Sequence, residues 1–309
     1  MSDMTEGAPG VRAVLGELRE RLGAAGIGDP AADAELIVGH VLGVSRGRVQ
    51  ALAVMGRDLE PDQLEAVRGL SEERARRVPL QHLTGRAPFR RLELSVGPGV
   101  FVPRPETEGV AQLAIDELSG LEGVEPLAVD LCTGSGAIAL AIAHEVPAAR
   151  VLAVEMSVEA HAWAERNVRE WGADRVELLR GDVTELDPLG GAGAEGATGL
   201  AAAFAPLRGR VAVLVSNPPY VPRGMVPRDP EVRDHDPELA LYSGADGLDL
   251  IRVISRVGLA LVRPGGLLVL EHAETQGAAI RGLLAADGWE GAETRPDLTG
   301  RDRATLARR

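Results

Sequence analysis

From residue 127 onward the chain alternates between short apolar runs and amphipathic stretches, and this limits the fold more than any other feature of its 309 residues. Leu127–Leu131, Val151–Glu155, Val176–Leu179, Val211–Ser216 and Gly266–Glu271 read as strands. Ala137–His144, Ala160–Trp171, a stretch from about Leu248 to Leu261, and Gln276–Ala286 read as the helices among them. Such alternation produces an α/β fold, a parallel sheet with helices on both faces. The segment from Trp289 to Leu306 carries the strand-like Ala304-Thr305-Leu306 and fits an antiparallel edge hairpin. Ligands of such sheets bind at the carboxyl ends of the strands, near the switch in strand order.

The first third of the chain has a different period. Val11, Val14, Leu15, Leu18 and Leu22 recur at helical spacing after nine residues that read as disordered. Asp29-Pro30 starts a second helix that Gly43 stops, and Pro61 opens a third, Gln63 to Arg77. Residues 1–78 therefore form a small helical domain. Residues 79–105 read as a linker with a β-hairpin: Phe89, Leu92, Leu94 and Val96, a tight turn at Gly97-Pro98-Gly99, then Val100-Phe101-Val102. Residues 106–309 hold the α/β domain, whose first helix (Val110 to Leu118) has acidic residues in its opening turn. Arg104, between two prolines, is held in an extended stretch from which it can line a site. Residues 188–208, rich in Gly and Ala, read as a flexible insertion.

A net charge of −13 argues against a protein that holds nucleic acid by neutralising phosphates, and no direct nucleic-acid binding is expected. All the basic residues are arginine. Cys132 is the sole cysteine, which fits a reducing compartment. No signal-peptide layout and no apolar run of membrane-spanning length appear, so a soluble, cytoplasmic protein is expected. The six histidines, His40, His82, His144, His161, His235 and His272, lack metal-ligand spacing, so no metal is assigned.

Two strand ends carry the candidate chemistry. Asp130-Leu131-Cys132-Thr133-Gly134-Ser135-Gly136 closes the first strand and opens a helix, where glycines admit a ligand to the backbone and free N–H groups await it. The three-glycine pattern of a dinucleotide site is incomplete. Glu155 ends the second strand, the position from which a carboxylate binds ribose hydroxyls, and Asp182 ends the third, where it can accept from an adenine amino group. Asp130 can face a cationic amino group. The second site is Asn217-Pro218-Pro219-Tyr220, after the strand Val211–Ser216. Two prolines fix φ and remove two N–H donors, so this stiff turn collects an amide, unpaired carbonyls and an aromatic face in one small volume. A planar nitrogen needs that geometry to be methylated, because acceptors must take its N–H bonds and aim it at a methyl donor.

Together these features resemble a class I, S-adenosylmethionine-dependent methyltransferase with a Rossmann-like sheet. More closely, the chain resembles the glutamine-N5 methyltransferases of peptide chain release factors, the HemK/PrmC family. The matching stretches are Pro79–Gly85, Phe101–Glu108, Asp130–Ala141, Ser216–Tyr220, His235–Leu241 and Glu271-His272, which span nearly the whole chain. The resemblance implies that S-adenosylmethionine is the methyl donor and that release factors are the partners, methylated on the Gln of their Gly-Gly-Gln motif. Asp130, Cys132, Thr133, Gly134, Ser135, Gly136, Glu155, Asp182, Val183 and Asn217 would hold the donor. Asn217, Pro218, Pro219 and Tyr220, with Phe101 and Arg104, would hold the glutamine, and Asn217, Pro218 and Tyr220 would carry catalysis. Cys132 departs from a common glycine, and a residue with a Cβ is expected there only with negative φ. Val183 departs from an aromatic residue that packs on adenine. The rival reading is an N6-adenine or N4-cytosine methyltransferase, since the four-residue motif also suits exocyclic amines. The acidic balance and the helical first domain oppose it.

Overall fold

The computed structural model of the protein describes residues 9–121, 125–171, 174–188 and 199–309. The chain divides into two compact units, Met1–Gly85 with Pro227–His235, and Arg86–Val226 with Asp236–Arg309. The stretch 79–105 is shared between them, its first residues in one unit and its hairpin in the other.

The first unit is built from α1 (Val11–Ala24), α2 (Pro30–Leu42), α3 (Arg46–Met55), α4 (Pro61–Ala75) and α5 (Leu80–Thr84). Val11, Val14, Leu18 and Leu22 form the buried face of α1. Asp29 caps α2 by accepting from the Ala32 N–H, and Gly43, at φ 64°, ends it. Helix α3 is absent from the sequence-based reading because its period is weak: Val49 is its one fully buried residue. Of the N-terminal stretch expected to be disordered, residues 1–8 lie outside the described residues.

The same unit includes a segment that the chain supplies from far downstream. The carboxylate of Glu231 accepts from Arg74 Nη1 at 2.8 Å, from Arg77 Nε at 3.0 Å and from Arg77 Nη2 at 2.5 Å. Arg74 also donates to Asp33 at 2.7 Å and to the Val78 carbonyl at 3.1 Å, and Arg77 donates to the Gly26 carbonyl at 2.6 Å. Both oxygens of a buried carboxylate are thus held by fixed donors, and Glu231 is kept well below the usual carboxylate range despite its burial. Arg77 reaches this network from a left-handed backbone, φ 71°.

The second unit opens with β1 (Arg86–Phe89) and β2 (Leu92–Ser95), paired antiparallel with Phe89 opposite Leu92. The hairpin therefore reverses at Arg90-Arg91, not at Gly97-Pro98-Gly99, and Val100–Val102 is not its second strand. Arg90 takes φ 53° there and is fixed by bonds to Glu145, Gln112 and the Glu108 carbonyl. Gly97 instead packs against Trp163, where a Cβ would come within 2.4 Å of the indole ring.

The elements that follow are α6 (Pro105–Ser119), β3 (Leu127–Leu131), α7 (Ala137–Glu145), β4 (Arg150–Glu155), α8 (Val158–Glu170), β5 (Val176–Arg180), α9 (Leu200–Phe204) and β6 (Val211–Ser216). After α10 (Pro230–His235), which belongs to the first unit, come α11 (Glu238–Leu241), α12 (Asp249–Leu261), β7 (Val262–Glu271), α13 (Gly277–Asp287), β8 (Glu290–Pro296) and β9 (Asp302–Arg308). The sheet order is β5-β4-β3-β6-β7-β9-β8, parallel from β5 to β7, with β9 and β8 forming the expected antiparallel edge. Apolar side chains from the two faces of the sheet enter separate clusters, one around Leu140 and Val215, the other around Leu214 and Ile251. The chain turns back between β3 and β6, so the carboxyl ends of these two central strands lie side by side.

Part of the expected flexible insertion is ordered core. Residues 189–198 lie outside the described residues, but α9 follows at once and buries Leu200 and Phe204 in the second cluster. Gly and Ala richness masked these two large apolar residues at helical spacing.

Candidate active site

The loop after β3 is braced from within. Asp130 is fully buried and accepts from Thr133 Oγ1 at 2.5 Å and from the Ala139 N–H at 3.1 Å. Its carboxyl thus ties the loop to the first turn of α7, and burial pushes its pKa up to about 7. Asn167 of α8 does the same from the other side, donating to the carbonyls of Ser95 and Ser135, both at 2.9 Å. Within the loop Gly134 has φ 59° and Gly136 has φ 86°. A Cβ on Gly134 would meet nothing within 4 Å, so the backbone faces open space there.

Glu155, at the end of β4, accepts from the Gly134 N–H at 2.9 Å and the Ser157 N–H at 2.8 Å. Burial pushes its pKa up, and these N–H groups counter the shift. Asp182 caps a short 3-10 turn, Val183–Leu186, by accepting from the Thr184 N–H at 2.8 Å. Val183 is buried in the core cluster that contains Leu152 and Val154.

Cys132 departs from expectation. Its φ is 62°, left-handed, where negative φ was expected for any residue with a Cβ. Left-handed backbone costs a side-chain-bearing residue about 1–2 kcal/mol, which explains why glycine suits this position. Cys132→Gly is accordingly expected to stabilise the second unit by about 1 kcal/mol in a denaturant titration, the glycine's extra unfolded-state entropy offsetting part of the relief. An unchanged or lowered midpoint would show that thiol packing outweighs the strain. Burial pushes the thiol well above its ordinary range, so it stays protonated and carries no nucleophile.

The neighbouring strand end is joined to this loop. Leu131 lies opposite Ser216 in the β3–β6 register, and Ser216 Oγ donates to the Leu131 carbonyl at 2.6 Å. Asn217 follows, its Nδ2 donating to Thr107 Oγ1 at 3.4 Å, and Pro218 is buried. Gln276, at the start of α13, holds the turn from behind: its Nε2 donates to the Tyr220 carbonyl at 2.9 Å and to the Asp246 carbonyl at 3.2 Å. Val221 then pairs with the strand-like stretch at Tyr242, donating to the Leu241 carbonyl and accepting from the Ser243 N–H. Burial also pushes the Tyr220 phenol up, so it stays neutral.

Phe101 and Arg104 are in contact. The Arg104 guanidinium lies 4.9 Å from the centre of the Phe101 ring and donates to Asp236 at 2.7 Å. Among the described residues no group of three or more His, Cys, Asp or Glu side chains is arranged to hold a metal ion.

Comparison with known proteins matches residues 13–85 to the PrmC N-terminal domain and residues 128–195 to a methyltransferase domain. A release factor glutamine methyltransferase of Streptomyces coelicolor is 46% identical over 96% of this chain and 97% of its own. One from Bifidobacterium longum is 42% identical over 95% of this chain and 98% of its own. The chain belongs to the release factor glutamine methyltransferases.

Another relative is named for a different acceptor. The 4-amino-L-phenylalanine/4-methylamino-L-phenylalanine methyltransferase of Streptomyces pristinaespiralis is 38% identical over 95% of this chain and 94% of its own. Three residues at the site received no role from the sequence: Thr107, Gln276 and Gly247. Thr107 lies within Phe101–Glu108, but its value depends on α6 packing against β6, which no local pattern reveals. Gly247 has φ 80°, and a Cβ there would come within 2.1 Å of the Tyr220 carbonyl oxygen. A Gly-Ala-Asp-Gly run signals turns, and which of its glycines touches the motif is a tertiary fact.

Proposed function

We propose that the protein transfers the methyl group of S-adenosylmethionine to the side-chain amide nitrogen, N5, of the glutamine in the Gly-Gly-Gln motif of peptide chain release factors. The observation that carries this reading is the adjacency of the glycine loop and Asn217–Tyr220 at the switch point of the sheet. The residues present fit the donor: Gly134 leaves open space beside the backbone, and Glu155 holds a carboxylate at the strand end that suits ribose hydroxyls. When bound there, S-adenosylmethionine supplies an electrophilic methyl group on a sulfonium.

The rest of the chemistry belongs to this chain's own side chains. Thr107 draws the Asn217 NH2 inward, which leaves Oδ1 to accept one glutamine N–H, and the Pro218 carbonyl accepts the other. With both N–H bonds taken, the nitrogen's π face points at the methyl group. Tyr220 covers the amide plane, its backbone fixed by Gln276. The N–C bond forms as the C–S bond breaks, and the alkylated nitrogen then releases one proton. Preorganised acceptors and alignment supply the rate, with no strong base required.

The helical unit contributes docking area for a protein substrate. No helix among the described residues is long and apolar enough to cross a membrane, and a cytoplasmic location fits a partner that works in translation. Glu155→Ala is expected to weaken S-adenosylmethionine binding by about tenfold to a hundredfold while changing the rate at saturation less, because ribose contacts are alike in ground and transition states. Calorimetry showing unaltered affinity would contradict this. The functional reading is tested by offering methyl-labelled donor with a release factor, duplex DNA or 4-amino-L-phenylalanine. Label on the release factor alone supports it; label on DNA alone would replace it with the nucleic-acid reading.

A further inference from the structure

Behind Asn217 the methyltransferase buries two polar side chains that lie outside the acceptor motif, Thr107 and Glu271. Thr107 sits in the first turn of α6, and Glu271 is the last residue of β7. Ser216 lies opposite Leu270 in the β6–β7 pairing, so Asn217 and Glu271 leave neighbouring strands side by side. Burying a carboxyl group lowers stability unless its oxygens are satisfied, yet Glu271 is only 1% exposed and its Oε2 has no hydrogen-bond partner among the described residues.

The hydrogen bonds have a direction. Asn217 Nδ2 donates to Thr107 Oγ1, so the Thr107 hydroxyl accepts there and has its own proton to place. The Thr107 hydroxyl acts on the Glu271 carboxyl, countering the upward push of burial on its pKa. With that proton given to Glu271, an amide turned the other way round would set Oδ1 against an oxygen left only to accept, and would present its NH2 to the substrate, donor against donor.

We propose that Thr107 and Glu271 are positioning residues for methyl transfer: the Thr107 hydroxyl donates to the Glu271 carboxylate and holds the Asn217 amide with its NH2 inward and its Oδ1 towards the substrate nitrogen. This rests on the glutamine-methylation reading above. The chain N–H to O–H to carboxylate also polarises the amide, so Oδ1 is a stronger acceptor as positive charge develops on the nitrogen. The other charged or titratable groups that face Glu271 are Arg104 and Glu106 at the start of α6, Arg303 of β9 and the Tyr220 phenol. Burial pushes Glu271 up to about 7, so its ionised form is lost as pH falls through that value. The rate then rises with pH across the same interval.

The test is steady-state kinetics of the full chain with a release factor and S-adenosylmethionine over a pH series. Thr107→Val is expected to lower kcat by about tenfold with donor affinity and KM for the release factor little changed. Thr107→Ser, which restores a hydroxyl, is expected to recover most of that loss. Glu271→Gln is expected to lower kcat and remove the acid limb near pH 7. A Thr107→Val protein with unaltered kcat, or a Glu271→Gln protein that keeps the acid limb, would overturn the inference while the unaltered enzyme still methylates the release factor. A loss confined to KM or donor affinity would overturn it too, as would a loss that serine does not recover. An unaltered chain that methylates no release factor would overturn the functional reading, and this inference with it.

Discussion

Asn217→Ala is expected to slow methyl transfer by about a hundredfold or more, with the unfolding midpoint close to that of the unaltered chain. The proposed acceptors for the two glutamine N–H bonds are Asn217 Oδ1 and the Pro218 carbonyl, and alanine removes the first. The lost contact strengthens as the nitrogen gains positive charge, so the effect falls on the chemical step more than on binding. Stability changes little because, among the described residues, the side chain makes one long bond, 3.4 Å to Thr107. Single-turnover kinetics with a pre-bound release factor isolates the step. A folded Asn217→Ala protein within a few-fold of the normal rate would remove Asn217 from the mechanism.

Gly247→Ala has the other large effect, although residue 247 contributes no side chain. Its φ of 80° strains any L side chain, and the new Cβ would stand 2.1 Å from the Tyr220 carbonyl oxygen and 2.7 Å from Gln276 Nε2. Neither neighbour can give way without breaking the bond between them, which fixes the acceptor turn. A displacement of about 1 Å at an aligned site costs on the order of a hundredfold in rate. The expected result is a fall in kcat of that size, with donor affinity largely retained because the glycine loop lies on another strand. Wild-type turnover by Gly247→Ala would show that the turn is not held by this contact.

The two strand ends were legible in the sequence because each is local: an apolar run, a stop, and a functional tetrad or glycine loop. Leu127–Leu131 and Val211–Ser216 occupy the predicted residues, and their adjacency follows from the sheet order. What stayed hidden is what depends on distant pairing. The reversal at Arg90 is set by Glu145, some fifty residues on, while the sequence offered the more conspicuous Gly97-Pro98-Gly99. Cys132 packs against the second cluster as a small residue would, but its left-handed φ is not written in the sequence. Glu231 looks like one more surface carboxylate, yet it is held by Arg74 and Arg77. A chain lacking residues 1–78 would leave that buried carboxylate without either arginine, so deletion of the helices disturbs residues 227–235 as well as any docking surface.

The central claim is that the acceptor is a glutamine side chain presented by a release factor. Tandem mass spectrometry of a release factor incubated with this protein and S-adenosylmethionine tests it most directly. The account predicts one added methyl group, on the Gln of Gly-Gly-Gln, absent when Asn217→Ala replaces the unaltered enzyme. A release factor returned without a methyl group, or methylated at another residue, would contradict it.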